Sequence, residues 1–321
     1  MSINTKNQIK KSDEYLLYLD TIQNPCLKKI YKKIYSEVKQ KNYAIIKNKL
    51  HVYYNKINNE KNIYYLGAFM FLLSNFMSYD MIFPILQKLK TPISDKDIFE
   101  YIDALNEKQK KRNSTSIDNL CNKYNFSFEL IKQEVYKKSK IFNTYLDVCC
   151  GDGTKTNIFG KTFNIKNIYG TDIALWGPYS NKKKFPFDFK LIKEGELNYD
   201  DNTFDIITCF LSLHHIQDLE LMLKSIYNKL KKGGIFVIIE HDVLNYMDNM
   251  IVDIQHMFYG YFYDKNKNYI DNPLYGKYYN RMEWSFMLRK VGFKLIHMDN
   301  VYENVSMTKR YDNQFYGIFM K

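Results

Sequence analysis

Apolar residues recur with two different periodicities along this chain. Up to about residue 140 they follow the spacing of helices, as in the series Ile98, Ile102 and Leu105. From residue 143 onward, short apolar runs alternate with helical patterns, and the runs 204–210 and 234–239 are nearly continuous, as in strands buried on both faces. The pattern predicts an all-helical domain over residues 1–140. It predicts an α/β domain over residues 141–321, built on a largely parallel, doubly wound sheet.

Seven strands are expected in the second domain. They are placed at 144–149, 166–172, 187–193, 204–210, 234–240, 293–298 and 314–320. Two helices carry clear end signals: Asp218–Leu230 is followed by Gly233-Gly234, and Asn280–Val291 opens with the capping-box pair Asn280 and Glu283.

The first domain is expected to contain helices joined by polar segments. Ser94 marks one helix start, and Phe128–Lys138 is predicted as the last helix, with a disordered arm at 1–12 and an exposed linker at 108–116. The most apolar segment, Tyr64–Leu86, is interrupted by polar residues and therefore predicts a buried helix pair rather than a membrane span.

The most informative motif joins the first predicted strand to a helix. Leu146 and Val148 run into a turn that contains Gly151 and Gly153, and Thr154 is the expected helix N-cap. Glycines allow a ligand to approach the backbone closely, and Asp147 places a carboxylate beneath the turn. This arrangement predicts that a nucleotide-like cofactor binds at the carboxyl end of the first strand.

Positive charge is concentrated in the first domain. The chain has 47 Lys and Arg against 35 Asp and Glu, and residues 1–140 hold 25 of these basic residues against 14 acidic ones. The net charge of the first domain is therefore +11, as expected of a module that docks a polyanion such as RNA. A lysine-rich helical surface that is merely solvated explains the same distribution.

Cysteine usage indicates a reducing compartment. The five cysteines include no C-x-x-C pair, which argues against a disulfide framework and against a structural zinc site, so no metal ligand is predicted. The polar, lysine-bearing N-terminus lacks the apolar stretch of a signal peptide, and we expect a cytoplasmic protein without membrane contact.

The α/β domain resembles the class I S-adenosylmethionine-dependent methyltransferases. Asp147–Gly153 is similar to that family's acidic residue and glycine turn, although Cys149 stands in place of the first glycine, and Gly170-Thr-Asp172 is similar to the end of its second strand. The resemblance implies a Rossmann-like, seven-stranded methyltransferase sheet in which Asp172 accepts hydrogen bonds from the cofactor's ribose. A dinucleotide site is disfavoured because position 156 is threonine rather than glycine.

The same resemblance implies the residues that bind S-adenosylmethionine. They are Asp147, Cys149, Gly151, Gly153, Asp172, Ile173, Gly195, Glu196, Phe210, Leu211 and Ser212. His215, Glu240 and His241 follow predicted strands and are the candidates for acid–base catalysis or for orienting the acceptor. The Lys-Asp-Lys-Glu tetrad of RNA 2′-O-methyltransferases does not occur cleanly, which weakens that chemistry.

A looser resemblance connects Glu240-His241-Asp242 to methyltransferase-like proteins of large cytoplasmic DNA viruses. Asp253, His256 and Tyr259 follow, and their spacing predicts that they share one broad helix face near cofactor or substrate. His241 and His256 could equally be structural histidines. The tyrosine-rich stretch 259–279 is expected either to form a substrate lid or to pack in the core.

Together these features predict a methyltransferase that acts on RNA, with a cap or cap-proximal nucleotide as one option. The alternatives are a small-molecule methyltransferase and a non-catalytic, methyltransferase-like subunit that binds RNA or a partner protein. The compartment is expected to be the cytoplasm, or the host cytoplasm or virion for a viral protein.

Overall fold

The computed structural model describes residues 47–108, 117–137, 141–175, 185–193, 195–262, 276–301 and 313–321, together with Pro25, Lys29, Lys32 and Lys33. The arm predicted at 1–12 and the linker predicted at 108–116 lie outside the described residues, apart from Lys108 itself.

The described helices and strands follow the order expected from the sequence. The helices are α1 (Lys49–Asn59), α2 (Ile63–Ser74), α3 (Tyr79–Lys88), α4 (Asp95–Lys108), α5 (Ile117–Tyr136), α6 (Thr154–Thr162), α7 (Leu219–Lys229), α8 (Tyr246–Phe262) and α9 (Arg281–Val291). The strands are β1 (Thr144–Val148), β2 (Asn167–Asp172), β3 (Asp188–Leu191), β4 (Phe204–Phe210), β5 (Leu230–His241), β6 (Lys294–Asn300) and β7 (Gln314–Met320).

The seven strands form one mixed sheet with the order β3-β2-β1-β4-β5-β7-β6. Strands β1 to β5 are parallel, whereas β7 pairs antiparallel with β5 and β6 pairs antiparallel with β7. The carboxyl ends of β1, β4 and β5 therefore lie side by side at one edge of the sheet. The predicted α/β, doubly wound architecture is confirmed.

Helix α8 belongs to the second half of the sequence but packs into the helical first half. Its residues Met250, Ile254 and Phe258 share a buried core with α1 to α4. In the opposite direction, Phe128 and Ile131 of α5 pack under the strands of the sheet. The boundary at residue 140 remains a prediction, but the two halves are joined by extensive apolar packing.

Local end signals decide several element boundaries. The capping box at Asn280 and Glu283 is present, and the Asp218 side chain caps α7 by accepting the Leu221 amide at 3.1 Å. Ser94 caps α4 by accepting the Asp97 amide at 3.1 Å. The prediction that Thr154 caps α6 is wrong by one residue. Gly153 holds that position in a left-handed conformation, which only glycine adopts without strain.

Strand β5 begins four residues before the predicted start. Leu230 pairs with Phe204, and the register shifts between Phe204 and Ile206, so the chain enters the sheet as soon as α7 ends. Gly233, with φ of 78°, allows the irregular backbone within this strand instead of terminating the helix.

The apolar segment 64–86 forms the helix pair that the sequence predicts. Leu72 and Leu73 of α2 and Ile82 and Ile85 of α3 are buried in the helical core. None of the helices in the described parts of the chain combines the length and hydropathy that a membrane span requires.

Candidate active site

The turn after β1 contains three residues in the left-handed region. Cys149, Gly151 and Gly153 have φ values of 57°, 58° and 72°. The Cys150 amide donates to the Thr171 carbonyl at 3.0 Å, which ties the turn to the end of β2. Cys149 tolerates the position that the family gives to glycine, at a cost of about 1–2 kcal/mol for a side chain in this conformation.

The two glycines of the turn face different surroundings. A Cβ atom built on Gly151 would meet nothing within 4 Å, whereas one built on Gly153 would lie 2.6 Å from Cζ of Phe187. The backbone around Gly151 is therefore open to a ligand, and the space beside Gly153 is filled by an aromatic side chain.

Asp147 lies buried beneath the turn, as predicted. Its two carboxylate oxygens accept hydrogen bonds from the hydroxyls of Thr156 and Thr208, each at 2.6 Å. Burial raises the pKa of Asp147 to about 6, against the lowering effect of these two hydrogen bonds. The carboxylate therefore fixes the start of α6 against β1 and β4 and supports the turn from below.

Asp172 is buried at the end of β2 and faces the same turn. One oxygen accepts the Gly151 amide at 2.8 Å and the other accepts the Ile173 amide at 2.7 Å. A carboxylate offers about four lone-pair positions, so these bonds are compatible with acceptance from a ribose diol. The Ile173 side chain is exposed beside it. An open backbone at Gly151 and an adjacent carboxylate are what an adenosine-bearing cofactor requires.

The remaining predicted cofactor residues lie in the loops after β3 and β4. Gly195 has a φ of 84° and lies against Leu221, and the Glu196 side chain is exposed. The Phe210 side chain stacks on Phe128 in the core, with ring centroids 5.1 Å apart, so only its backbone can contact a ligand.

Beyond Phe210 the chain turns sharply. Leu211 has a φ of 57°, and its amide donates to the Ile239 carbonyl at 2.7 Å. The Ser212 hydroxyl donates back to the Phe210 carbonyl at 3.1 Å. This turn directs the following residues, 213–215, over the end of β5.

Glu240 is fully buried at the end of β5 and organises that turn. Its Oε1 accepts the amides of Ser212 and Leu213 at 3.1 and 2.8 Å, and its Oε2 lies 2.6 Å from Nδ1 of His214. Burial raises the pKa of Glu240 to about 8. His215 is the acid–base candidate predicted from the sequence, but in the structure the partner of Glu240 is the preceding histidine, His214.

Four histidines and one tyrosine meet above Glu240. His214 lies 4.1 Å from His215, 5.1 Å from His241 and 5.2 Å from His256, measured between ring centroids. The Tyr278 ring lies 5.2 Å from that of His214. Burial is the largest factor that lowers the pKa of every histidine in this group. Neutral imidazoles are therefore the stable form here, and we call these four residues the histidine cluster.

The predicted common face of Asp253, His256 and Tyr259 is only partly formed. His256 belongs to the histidine cluster. Asp253 forms an ion pair with Lys49 of α1, with 2.8 Å between Oδ2 and Nζ. Tyr259 instead contacts Phe76 in the helical half, with ring centroids 5.1 Å apart. A span of six residues rotates the last side chain away from the first along the helix.

The tyrosine-rich stretch does not act as a single unit. Tyr278 is buried in the histidine cluster because the Lys277 amide donates to the His214 carbonyl at 2.7 Å and holds the segment there. Tyr279 packs on Trp284, and the Tyr261 hydroxyl donates to Asp103. Tyr263, Tyr269 and Tyr275 lie outside the described residues.

Comparison with known proteins agrees with this geometry. The family model described as "Methyltransferase domain" matches residues 96–298, which is more than half of the chain and begins within α4. The chain therefore belongs to this methyltransferase domain family. The cofactor is S-adenosylmethionine, and the open turn at Gly151 with Asp172 beside it fits that molecule.

Two curated relatives match part of the chain. It is 32% identical over 111 residues to "Arginine-hydroxylase NDUFAF5, mitochondrial" of Mus musculus, covering 33% of this chain and 31% of the relative. It is 30% identical over 125 residues to demethylmenaquinone methyltransferase of Lactobacillus johnsonii, covering 34% and 49%. The match thus spans 31% and 49% of the lengths of these two relatives.

Solved structures are similar at lower sequence identity. A putative methyltransferase in complex with the Haloferax volcanii Trm112 methyltransferase activator has a TM-score of 0.46 and 12% identity, covering 62% of this chain and 92% of that chain. A putative methyltransferase from Bacillus halodurans has a TM-score of 0.41 and 15% identity, covering 59% and 96%.

Proposed function

We propose that this protein transfers a methyl group from S-adenosylmethionine to a small acceptor molecule bound beside the histidine cluster. The observation that carries this proposal is the burial of the polar groups on the acceptor side. Glu240, His214, His241 and Tyr278 are between 0% and 3% exposed. Surfaces that bind nucleic acids are open and basic, whereas a pocket lined by buried polar groups is typical of a site for a small ligand.

The position of the cluster relative to the glycine turn supports this role. Because β1, β4 and β5 are adjacent and parallel, the turn after β1 and the polar residues after β4 and β5 share one edge of the sheet. Lys155, in the first turn of α6, is close enough to lower the pKa values of His214 and His241 electrostatically. A cofactor over Gly151 would thus have the histidine cluster within reach.

The chemistry requires positioning more than covalent assistance. When bound, S-adenosylmethionine supplies an electrophilic methyl group on its sulfonium. The acceptor must present a lone pair in line with that carbon, and holding two reactants in this geometry provides much of the acceleration. Glu240 positions His214, and the surrounding imidazoles and the Tyr278 hydroxyl can orient the acceptor by hydrogen bonding. Demethylmenaquinone methyltransferase, one of the partial relatives, is named for a small-molecule acceptor.

Transfer of isotopically labelled methyl groups tests the proposal. The full chain is incubated with labelled S-adenosylmethionine and, separately, with metabolite extract, capped RNA, uncapped RNA or protein. We expect labelled product in the metabolite fraction without RNA. Label only in RNA would contradict the small-molecule proposal. No transfer to any fraction by a chain that binds the cofactor would instead favour a non-catalytic subunit.

RNA remains a second candidate because of the charge of the first domain. The segment from residue 47 to residue 108 holds 8 Lys against 7 Asp and Glu, so +10 of the net charge of +11 in residues 1–140 belongs to the segments on either side. An RNA-docking role would therefore fall to residues 1–46 and 109–140. RNA affinity that decreases steeply with salt, and that decreases further when Lys110, Lys111 and Arg112 are replaced by Gln, would support it. Salt-independent affinity would exclude it.

A further inference from the structure

The histidine cluster brings together ring nitrogens from three separate elements. His214 follows β4, His241 ends β5 and His256 lies in α8. One ring nitrogen from each of these residues lies within 4.8 Å of the others. Nothing in the fold requires three imidazoles to converge, because apolar side chains of similar volume would fill a buried site without leaving polar atoms to satisfy.

Hydrogen bonds determine which nitrogen of His256 faces the other rings. Its Nδ1 lies 2.7 Å from the Val252 carbonyl, which can only accept, so Nδ1 carries the proton. The Tyr278 hydroxyl lies 3.2 Å from the same Nδ1 and hydrogen-bonds to the Asp253 side chain. In the neutral ring, Nε2 of His256 is therefore an unprotonated donor of a lone pair.

The state of Nε2 in His214 depends on which of Nδ1 and Glu240 holds the proton between them. Nδ1 of His214 faces Oε2 of Glu240 at 2.6 Å, and Nε2 of His214 lies 3.2 Å from Nε2 of His256. When Nδ1 donates to the carboxylate, two lone pairs face each other across 3.2 Å. An electrophile, either a proton or a metal ion, must lie between them.

His241 distinguishes between a proton and a metal ion at this position. His241 is buried, and its Nδ1 has no hydrogen-bond partner within the described part of the chain. A proton can be shared between His214 and His256 but cannot also satisfy a nitrogen of His241. A metal ion can bind all three.

We infer that His214, His241 and His256 bind a divalent transition-metal ion of the Zn²⁺ class. Imidazole nitrogen is a preferred ligand of zinc. Two ligands of a tetrahedral zinc ion with bonds of about 2.0–2.1 Å are separated by about 3.3 Å, close to the 3.2 Å between the Nε2 atoms of His214 and His256. The ring nitrogens of the three histidines lie up to 4.8 Å apart, so at least one ring must rotate slightly inward to bind the ion.

The surroundings of the ligands also match a metal site. Ligating histidines commonly donate their second nitrogen to a carboxylate or a backbone carbonyl, which orients the ring. Glu240 fills the first of these roles for His214, and the Val252 carbonyl fills the second for His256. These contacts would hold both rings in the orientation and tautomer that metal binding needs.

Three protein ligands leave a fourth position for another group. Zinc sites of this composition hold water or substrate at the fourth position, unlike closed structural sites. An oxygen, nitrogen or sulfur atom of the methyl acceptor could bind there, next to the cofactor pocket. That the ion holds the acceptor rests on the proposed function, whereas binding of the ion itself does not.

Metal titration of the full, tag-free chain tests the inference. The protein is treated with a chelator, dialysed and titrated with Zn²⁺ by calorimetry, and bound metal is counted by mass spectrometry. Co²⁺ provides a second readout, because a four-coordinate site gives strong visible absorption. We expect one ion per chain. An absence of stoichiometric Zn²⁺ and Co²⁺ binding by the wild type would overturn the inference and leave a proton-bridged histidine network.

Variants locate the ion. His241→Gln and His256→Gln should each weaken Zn²⁺ affinity by more than 100-fold. Glu240→Gln, which keeps all three ligands, should weaken it by roughly 10- to 100-fold. His297→Gln, in β6, is the matched control and should bind zinc like the wild type. Loss of binding in that control, or retained binding in both ligand variants, would show that the ion lies elsewhere.

Cofactor titration of the same samples separates this inference from the proposed function. Zinc binding without S-adenosylmethionine binding would refute only the methyltransferase proposal. Cofactor binding without zinc binding would refute only the metal site. Circular dichroism and thermal unfolding show whether each variant is folded, and the wild-type measurement stands even if a ligand variant is not.

Discussion

Oε2 of Glu240 lies 2.6 Å from Nδ1 of His214, and both side chains are buried at the carboxyl edge of the sheet. Glu240 also accepts two backbone amides from the turn after β4. A single carboxylate thereby fixes both the turn and the orientation of one imidazole. The sequence places these two residues 26 positions apart.

Glu240→Gln should separate catalysis from cofactor binding. The amide keeps the shape of the side chain but replaces one of the two carboxyl oxygens that hold His214 and the turn after β4, so methyl transfer should fall by about 10- to 100-fold, as when an orienting partner of a histidine is removed. Affinity for S-adenosylmethionine should change by less than about twofold. Glu129→Gln on the surface of α5 is the control. Unchanged turnover in the Glu240 variant would show that His214 needs no orienting partner.

Asp172→Ala should weaken cofactor binding. Its carboxylate faces the glycine turn and is the expected acceptor for the ribose hydroxyls, and leaving such donors unpaired costs about 1–3 kcal/mol. Calorimetry should therefore show roughly 5- to 150-fold lower affinity. Asp188→Ala, an exposed carboxylate in β3, should bind like the wild type. Wild-type affinity in the Asp172 variant would place the ribose elsewhere.

Alanine at the two glycines of the turn should give opposite results. At Gly151 a Cβ meets nothing within 4 Å, so Gly151→Ala should cost only about 1 kcal/mol of stability for the left-handed backbone. It should nevertheless lower cofactor affinity by about tenfold or more, because the methyl group enters the open space where the ligand approaches.

Gly153→Ala should mainly affect folding. Its Cβ would lie 2.6 Å from Phe187, so that ring must move, and the free energy of unfolding should be lower than in Gly151→Ala by about 1–2 kcal/mol. Chemical denaturation of both variants measures the difference. If the two variants had the same stability and the same affinity for the cofactor, the space beside Gly151 would not differ from the space beside Gly153, and the account of the turn would be wrong.

Asp147 should make stability depend on pH. Burial raises its pKa to about 6 in the folded protein from an ordinary 3.8. Below about pH 4 the carboxyl is protonated in both states. As the pH rises from about 4 to 6, only the unfolded chain releases the proton, so the folded state loses about 3 kcal/mol relative to the unfolded state.

Asp147→Asn removes this titration. Denaturation curves between pH 4 and 7 should show the wild type losing stability relative to the variant as the pH rises. Parallel pH profiles for the two proteins would show that the buried carboxyl titrates at an ordinary pKa.

The sheet could be predicted from sequence because its signals are local and redundant. Phe204–Phe210 is apolar throughout and Asn280 caps its helix with Glu283, so each element is marked independently of the rest of the fold. The predicted start of β5 is wrong because Gly233-Gly234 has the sequence of a helix stop. Only the tertiary pairing of Leu230 with Phe204 reveals that the strand has already begun.

The candidate site was harder to predict because it depends on side-chain direction. His214 and His215 are adjacent, and only the turn geometry set by Leu211 determines that the first of them faces Glu240. His256 and Tyr278 reach the same point from α8 and from the segment before α9. No sequence spacing encodes that convergence, although the E-H-D and D-x-x-H patterns indicate Glu240, His241 and His256.

A crystal structure of the chain soaked with S-adenosylhomocysteine, the demethylated product, would test the central claim most directly. We predict that the nucleoside lies over Gly151, with its ribose hydroxyls bonded to Asp172 and its sulfur directed toward His214. A nucleoside bound at another surface, or side chains filling the space above Gly151 despite saturating ligand, would contradict the account.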